Sequence, residues 1–261
     1  MTPLPFFQVD AFAACAFEGN PAGVMPLGEW LPDATMQAIA AENNLSETAF
    51  TVPSAANGAD YDLRWFTPTV EVDLCGHATI AAGHILIHSA AVRFATRSGI
   101  LTVTRDGDLL RLDLPAHAVE EGVEPGLLEA LGLPADTPIF LGRSGNGSAI
   151  AVLADKAAVR AVTPDFAALR TIDRLVIVTA PGDDTTIASR VFAAFHGIDE
   201  DPVTGAAHAA LVPFWAQKLG RNRFTALQAS KRGGHLDCEL KADRVILGGR
   251  CVTVIEGHFQ L

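Results

Sequence analysis

Two short stretches set the plan of this chain: Cys75-Gly76-His77-Ala78-Thr79-Ile80-Ala81 and Thr204-Gly205-Ala206-Ala207-His208-Ala209-Ala210. Laid on one another they match Gly to Gly and Ala to Ala. Each follows a strand-like segment and enters a helix through a glycine followed by small residues. The identities are few, and Ala-rich helices match one another readily, so the repeat taken alone is a weak signal. It predicts two similar α+β halves facing one another, with both helix N-termini directed into a shared cleft. The first turn of a helix leaves backbone N–H groups unpaired and carries partial positive charge. Gly76 and Gly205 let a ligand approach that backbone closely, so the two starts suit an anion such as a substrate carboxylate. The same glycines suit close helix packing equally well.

The surrounding pattern fills in the halves. Strands are expected at Phe6–Phe12 and Gly23–Leu27, around a turn-rich Gly-Asn-Pro-Ala-Gly segment, and at Glu47–Pro53 and Tyr61–Phe66. Helices are expected at Pro32–Asn43 and Gly76–Ser89. Ile100–Arg105 and Leu109–Leu114 read as a hairpin across Asp106-Gly107-Asp108. After a polar break near Ala116–Pro125 the plan resumes: short helices at Leu127–Leu131, Lys156–Val162 and Pro164–Leu169, and strands at Ile139–Gly142, Ser148–Leu153, Leu175–Thr179 and Ser189–Phe195. A second small-residue helix follows at Ala206–Leu219, then alternating strand and turn to Leu261. With 261 residues the chain can build one large or two small cores. We place the domains at 1–118 and 119–261, with the last strand free to return to the N-terminal half.

Composition narrows the function. The chain is 49% hydrophobic and 19% charged, as a packed globular protein is. Its formal net charge is −11, and eight acidic side chains precede Arg64, the first basic one. That balance repels phosphate backbones and anionic membranes, so neither nucleic acid nor membrane is expected as a partner. The start, MTPLPFFQVDAFAACA, has no positive n-region, and Gln8 and Asp10 break its apolar run. No stretch reaches the roughly 18 apolar residues of a membrane span. Cys15, Cys75, Cys238 and Cys251 are scattered, with no CxxC spacing, and read as reduced thiols of a cytoplasmic protein.

Several side chains have chemical readings. In Asn44-Leu45-Ser46-Glu47-Thr48-Ala49-Phe50 one carboxylate opens an apolar strand. Buried there, its charged form is disfavoured and it suits general acid/base work; solvated, it merely turns a corner. Asp199, Glu200 and Asp201 precede a helix, where acidic residues favour the dipole by ~0.3–1 kcal/mol each. Asp201, before Pro202, is also held extended, which can fix its side chain toward a cleft. His77 and His208 lie in early helical turns, as packed, capping or functional groups, and the dipole favours a neutral His77. Cys75 and His77 have no further ligands at metal-site spacing, so no metal is expected. Gly145-x-Gly147 lacks a third glycine and precedes a strand, and Asn146-Gly147 reads as a hairpin turn. There is no Walker lysine and no Gly-x-Ser-x-Gly elbow.

Asn20–Val24 (NPAGV), Asn44–Phe50 (NLSETAF), Arg64–Thr79, Glu200–His208 (EDPVTGAAH) and Gln228–Gly234 (QASKRGG) together resemble the PhzF-like family, the phenazine-biosynthesis-like proteins of the diaminopimelate epimerase fold. The resemblance runs from the first strand to the last, with the motifs in family order. It implies two pseudo-symmetric α+β domains, each a β-sheet or barrel wrapped around a central helix, with the active site in the cleft between them. It implies no cofactor and a homodimer. The family's catalytic glutamate falls on Glu47, its histidine on His77 and its second-domain aspartate on Asp201; the residues of the two helix starts, Cys75, Gly76, Thr204, Gly205 and Ala206, are expected at the substrate. One position departs: the family has Ser where this chain has Ala206, which weighs against the phenazine precursor as substrate and not against the fold.

The expected function is a cofactor-independent isomerase of a small carboxylic acid, with Glu47 moving the proton. One alternative is an epimerase or racemase using Cys75, although the opposing position is Thr204, a poor base. The other is a non-catalytic binder of small carboxylates, which Ala206 motivates.

Overall fold

The segment Gly76–Leu86 carries no acidic, Lys or Arg side chain, and in the computed structural model it forms a helix whose residues Gly76–Gly83 are all buried. A helix without a polar face has to be covered on every side. The structure describes residues 3–143 and 147–261, so the turn expected at Asn146-Gly147 lies outside the described residues. The chain divides into two units, residues 1–114 with 247–261, and residues 115–246.

The first unit runs β1 (Pro3–Ala11), β2 (Asn20–Pro26), α1 (Asp33–Asn43), β3 (Glu47–Pro53), β4 (Tyr61–Phe66), β5 (Glu71–Val72), α2 (Gly76–Leu86), β6 (Ala91–Thr96), β7 (Gly99–Asp106) and β8 (Leu109–Pro115). Its pairing is antiparallel for β1–β2, parallel for β2–β3, antiparallel for β3–β4 and β4–β5, parallel for β4–β6, and antiparallel for β6–β7 and β7–β8. The sheet wraps α2, which packs against β1, β2, β3 and β7. Helix α1 lies on the other face, where Met36, Ile39 and Ala40 join Met25, Phe50, Val52 and Phe66 in a second apolar cluster.

The second unit repeats this plan. It runs β9 (Val119–Glu121), α3 (Leu127–Leu131), β10 (Ile139–Gly142), β11 (Ser148–Val152), α4 (Lys156–Ala161), α5 (Phe166–Leu169), β12 (Leu175–Pro181), β13 (Ile187–Ala193), β14 (Ile198–Asp201), α6 (Gly205–Leu219), β15 (Arg223–Gln228) and β16 (Gly234–Lys241). From β10 to β16 the pairings are antiparallel, parallel, antiparallel, antiparallel, parallel and antiparallel, the sequence seen from β1 to β7. Strand β17 (Arg244–Gly249) leads on to β18 (Cys251–Gln260). This last strand pairs antiparallel with β1, from Pro3↔Gln260 to Ala11↔Cys251, with one bulge.

Equivalent side chains brace the two repeats. Arg64 on β4 grips Glu71 on β5 through Nε and Nη2, and Arg190 on β13 grips Glu200 on β14 in the same way. Each guanidinium lies over a phenylalanine two residues on, at 5.2 Å for Phe66 and 5.0 Å for Phe192. The forks fix the short strands from which the chain enters α2 and α6.

Some expected elements differ. Asn20 to Gly23 belong to β2 and not to a turn, because Asn20 pairs with Ala11 and the reversal lies earlier, at positive-φ Phe17 and Gly19. Residues 119–121, expected as a polar break, form β9 against β10. Asp199 and Glu200 do not cap α6: they bind Arg170 and Arg190, and α6 has no side-chain cap.

Gly83 shows how tightly α2 is enclosed. A Cβ there would lie 2.7 Å from Val103 Cγ1 on β7. In an open helix Gly→Ala gains ~1 kcal/mol, but overpacking a filled core costs ~1–3 kcal/mol. Gly83→Ala is therefore expected to lower the urea midpoint of unfolding, and a midpoint that rises would show that the sheet has room.

Candidate active site

Glu47 is the first residue of β3 and faces inward. Its Oε2 is buried and lies 3.0 Å from His77 Nε2, with side-chain exposures of 12% and 5%. The reading of Glu47 as a solvated corner is thus overturned. The contact is close but poorly angled, and neither atom makes a well-formed hydrogen bond; groups poised for proton transfer often tighten only when substrate arrives.

The other ring nitrogen is held from behind. Asn20 is fully buried at the start of β2; its Nδ2 donates to His77 Nδ1 at 3.2 Å, and its Oδ1 accepts from Ser46 Oγ at 3.0 Å. In this amide orientation Nδ1 is the acceptor of a neutral ring, and Nε2 is the nitrogen that faces Glu47. Because Ser46 adjoins Glu47 in sequence, Ser46, Asn20, His77 and Glu47 close a circuit. Asn20 and Ser46 stand inside the NPAGV and NLSETAF motifs, and their role is visible only once the fold brings them to His77.

Burial lowers the His77 pKa, but the neighbouring Cys75 sulfur and the Glu47 carboxylate outweigh it and raise the pKa well above the usual imidazole value. This corrects the expectation of a ring kept neutral by the helix dipole: a carboxylate at 3.0 Å is stronger than the partial charge of a helix end. A doubly protonated ring requires the Asn20 amide to turn over, so that Oδ1 receives Nδ1–H. The two protonation states therefore correspond to two amide orientations.

Cys75 is the N-cap residue of α2 and makes no side-chain cap bond. Its thiol is pushed up to about 11, chiefly by burial and then by the Glu47 charge. It is a thiol at neutral pH and a weak nucleophile. Glu47, Cys75 and His77 bring three ligand atoms within 4.8 Å of one another, so the third metal-type partner missing from the local sequence does exist. Sγ approaches Nδ1 at 3.6 Å, however, while the carboxylate approaches Nε2. The sulfur and the carboxylate thus address opposite nitrogens of the ring.

In the second unit Asp201 ends β14 and is buried. Its Oδ2 accepts a short hydrogen bond from Thr204 Oγ1. Gln228 locks this corner: its Oε1 accepts from Thr204 N–H at 2.9 Å and its Nε2 donates to Asp201 O at 2.7 Å. Gln228 is another motif residue without a role in the sequence reading. The register that places Trp65 opposite Val72 places Val191 opposite Asp201, so Asp201 occupies the position of Val72, and Thr204 and Gly205 those of Cys75 and Gly76. Ala206, where His77 stands in the first unit, is partly exposed in the first turn of α6. His208 is a packed residue: Nδ1–H donates to Thr204 O at 2.8 Å, and burial lowers its pKa to about 4.

The two buried histidines titrate with opposite consequences. The raised pKa of His77 gives stability that is complete below the unfolded value of 6.5 and lost as pH climbs toward the folded value. The depressed pKa of His208 gives stability that is complete above 6.5 and lost as pH falls toward 4, by about 3 kcal/mol. His208→Gln should flatten the acid limb of the stability–pH curve in urea unfolding, and His77→Gln the limb above 6.5. An acid limb unchanged in His208→Gln contradicts this account.

Comparison with known proteins places the chain in a family. The family model described as phenazine biosynthesis-like protein matches residues 9–257. An uncharacterized isomerase of Pseudomonas aeruginosa is 48% identical, over 99% of this chain and 99% of the relative. The crystal structure of a PhzF-family protein from Enterococcus faecalis superimposes with a TM-score of 0.92 at 44% identity, covering 100% of both chains. A hydroxyproline epimerase from Agrobacterium vitis shares the fold alone, with a TM-score of 0.62 at 12% identity over 98% of this chain and 92% of that one. Whole-length kinship with proteins named as isomerases makes this chain an isomerase. The chain belongs to the phenazine biosynthesis-like protein family.

Proposed function

We propose that the protein isomerises a small carboxylic acid without a cofactor, with Glu47 as the group that removes a proton from one carbon and returns it to another. The observation that carries this reading is the buried Glu47 carboxylate 3.0 Å from an imidazole that Asn20 and Ser46 hold in place. A carboxylate in such surroundings has few competing hydrogen bonds and a fixed direction, which is what a general base needs. His77, with Nε2 toward Glu47, steadies the carboxylate by hydrogen bonding and charge attraction. The uncapped start of α2, with Cys75 and Gly76, is the proposed receiver of the substrate carboxylate, where helix N–H groups stabilise the charge that develops on deprotonation. Thr204, Gly205 and Ala206 form the same kind of uncapped start in the second unit, and Asp201 is proposed as a further acidic group of the reaction. The free thiols suit a reducing, cytoplasmic setting, and we propose a homodimer as the working state.

An epimerase mechanism through Cys75 has less support. Its thiol stays protonated to about pH 11, and the equivalent residue Thr204 is committed to Asp201.

The test is a panel of cyclic and unsaturated carboxylic acids incubated in D₂O and followed by NMR. The wild type should place deuterium on carbon in at least one acid. Glu47→Gln should slow that exchange by about 10²–10⁴-fold while still binding the acid. Full exchange in Glu47→Gln overturns the proposal; full exchange lost only in Cys75→Ser favours the epimerase; binding without exchange in the wild type leaves a carboxylate binder.

A further inference from the structure

The first unit holds a cavity of about 280 Å³ lined by His84, Arg105, Asp108, Leu110, Arg250 and Cys251 among others. His84 is in the last turn of α2, about 10 Å along the helix from His77 at 1.5 Å per residue. The cavity is therefore at the end of α2 remote from Glu47, and none of its chemistry is used by the proposed reaction.

Its charge is out of keeping with the rest of the molecule. Among the described residues at least eight arginines are neutralised by a carboxylate in contact. Arg105 and Arg250 make no ion pair among the described residues, in a chain of net charge −11, and they line the same cavity. His84 lies beside them, half-buried, with Nε2 at 3.0 Å from Thr253 Oγ1. Burial, and then the Arg105 charge, lower its pKa.

We propose that this cavity is a second, non-catalytic site that binds a small oxyanion, a phosphate or a carboxylate, between the guanidinium groups of Arg105 and Arg250 and beside His84. Guanidinium forks match the paired oxygens of both anions. Two features oppose binding: the C-terminal end of α2 carries partial negative charge, and Asp108 shares the cavity wall. The helix end is partly covered, since Ile87 N–H donates to Gly83 O at 3.0 Å and the Cys251 sulfur lies 3.9 Å from Ile80 O. Two full positive charges exceed the half charge of a helix end and one carboxylate. The acidic surface repels anions generally, so saturable anion binding points to a built site.

The test follows the His84 ring by NMR, with the resonance assigned from His84→Gln, while inorganic phosphate, malonate or sodium chloride is added to the full-length protein at matched ionic strength. Phosphate or malonate should shift the resonance saturably and raise the His84 pKa by offsetting Arg105; chloride should do neither. A response to phosphate alone identifies the phosphate class, and a response to malonate alone identifies the carboxylate class. Arg105→Ala and Arg250→Ala should each weaken binding at least tenfold, and Glu47→Gln should leave it unchanged, which separates this site from the proposed reaction. A linear shift shared with chloride, or binding that survives both arginine substitutions, overturns the proposal.

Discussion

The reaction proposed for this protein depends on one buried contact, the Glu47 carboxylate against the His77 imidazole. Two ionisable groups removed from water are costly unless each answers the other and the remaining polar atoms are satisfied. The structure places the two groups against each other and holds the far side of the ring with neighbours from three segments. Strand β3 supplies Glu47 and the residue before it supplies Ser46; strand β2 supplies Asn20; helix α2 supplies His77. The enclosure of α2 is part of the same arrangement, because a helix of Gly, Ala and Thr lets the sheet come close enough to hold its first turn dry.

The repeated plan explains where chemistry can be placed. Both units send a chain through a short strand braced by an arginine fork and into a helix with no side-chain cap. The scaffold is shared and the chemistry is not. At the helix start the first unit has Cys75, Gly76 and His77, with Glu47 arriving from β3. The second unit has Thr204, Gly205 and Ala206, with an aspartate where the first has Val72. One repeat thus carries a carboxylate–imidazole pair, and the other a carboxylate tied to a hydroxyl.

Much of this was legible in the sequence. The two Gly-plus-small-residue helix starts, the strands at Glu47–Pro53 and Tyr61–Phe66, and the hairpin around Gly107 follow from local periodicity and turn chemistry, and the structure has them. The motif resemblance carried the fold. What was not legible depends on partners far away in the chain. Asn20 reads as a turn residue by composition, yet it is a buried strand residue because Ala11 and His77 surround it. Glu200 reads as a helix cap until Arg190 is found opposite it across the strands. The pairing of β18 with β1 joins residues some 250 positions apart, and no local pattern encodes it. The protonation of His77 is hidden from the sequence for the same reason: the helix start is local, while the carboxylate comes from thirty residues upstream.

The most direct measurement of the central contact is the ring protonation of His77 followed by nitrogen-15 NMR across pH in the wild type and in Glu47→Gln. If the Glu47 carboxylate holds the ring as described, the wild-type His77 pKa lies well above 6.5 and falls in Glu47→Gln, where burial is opposed by Cys75 alone. A His77 pKa unchanged by Glu47→Gln would contradict the account, because the pair would then not be coupled.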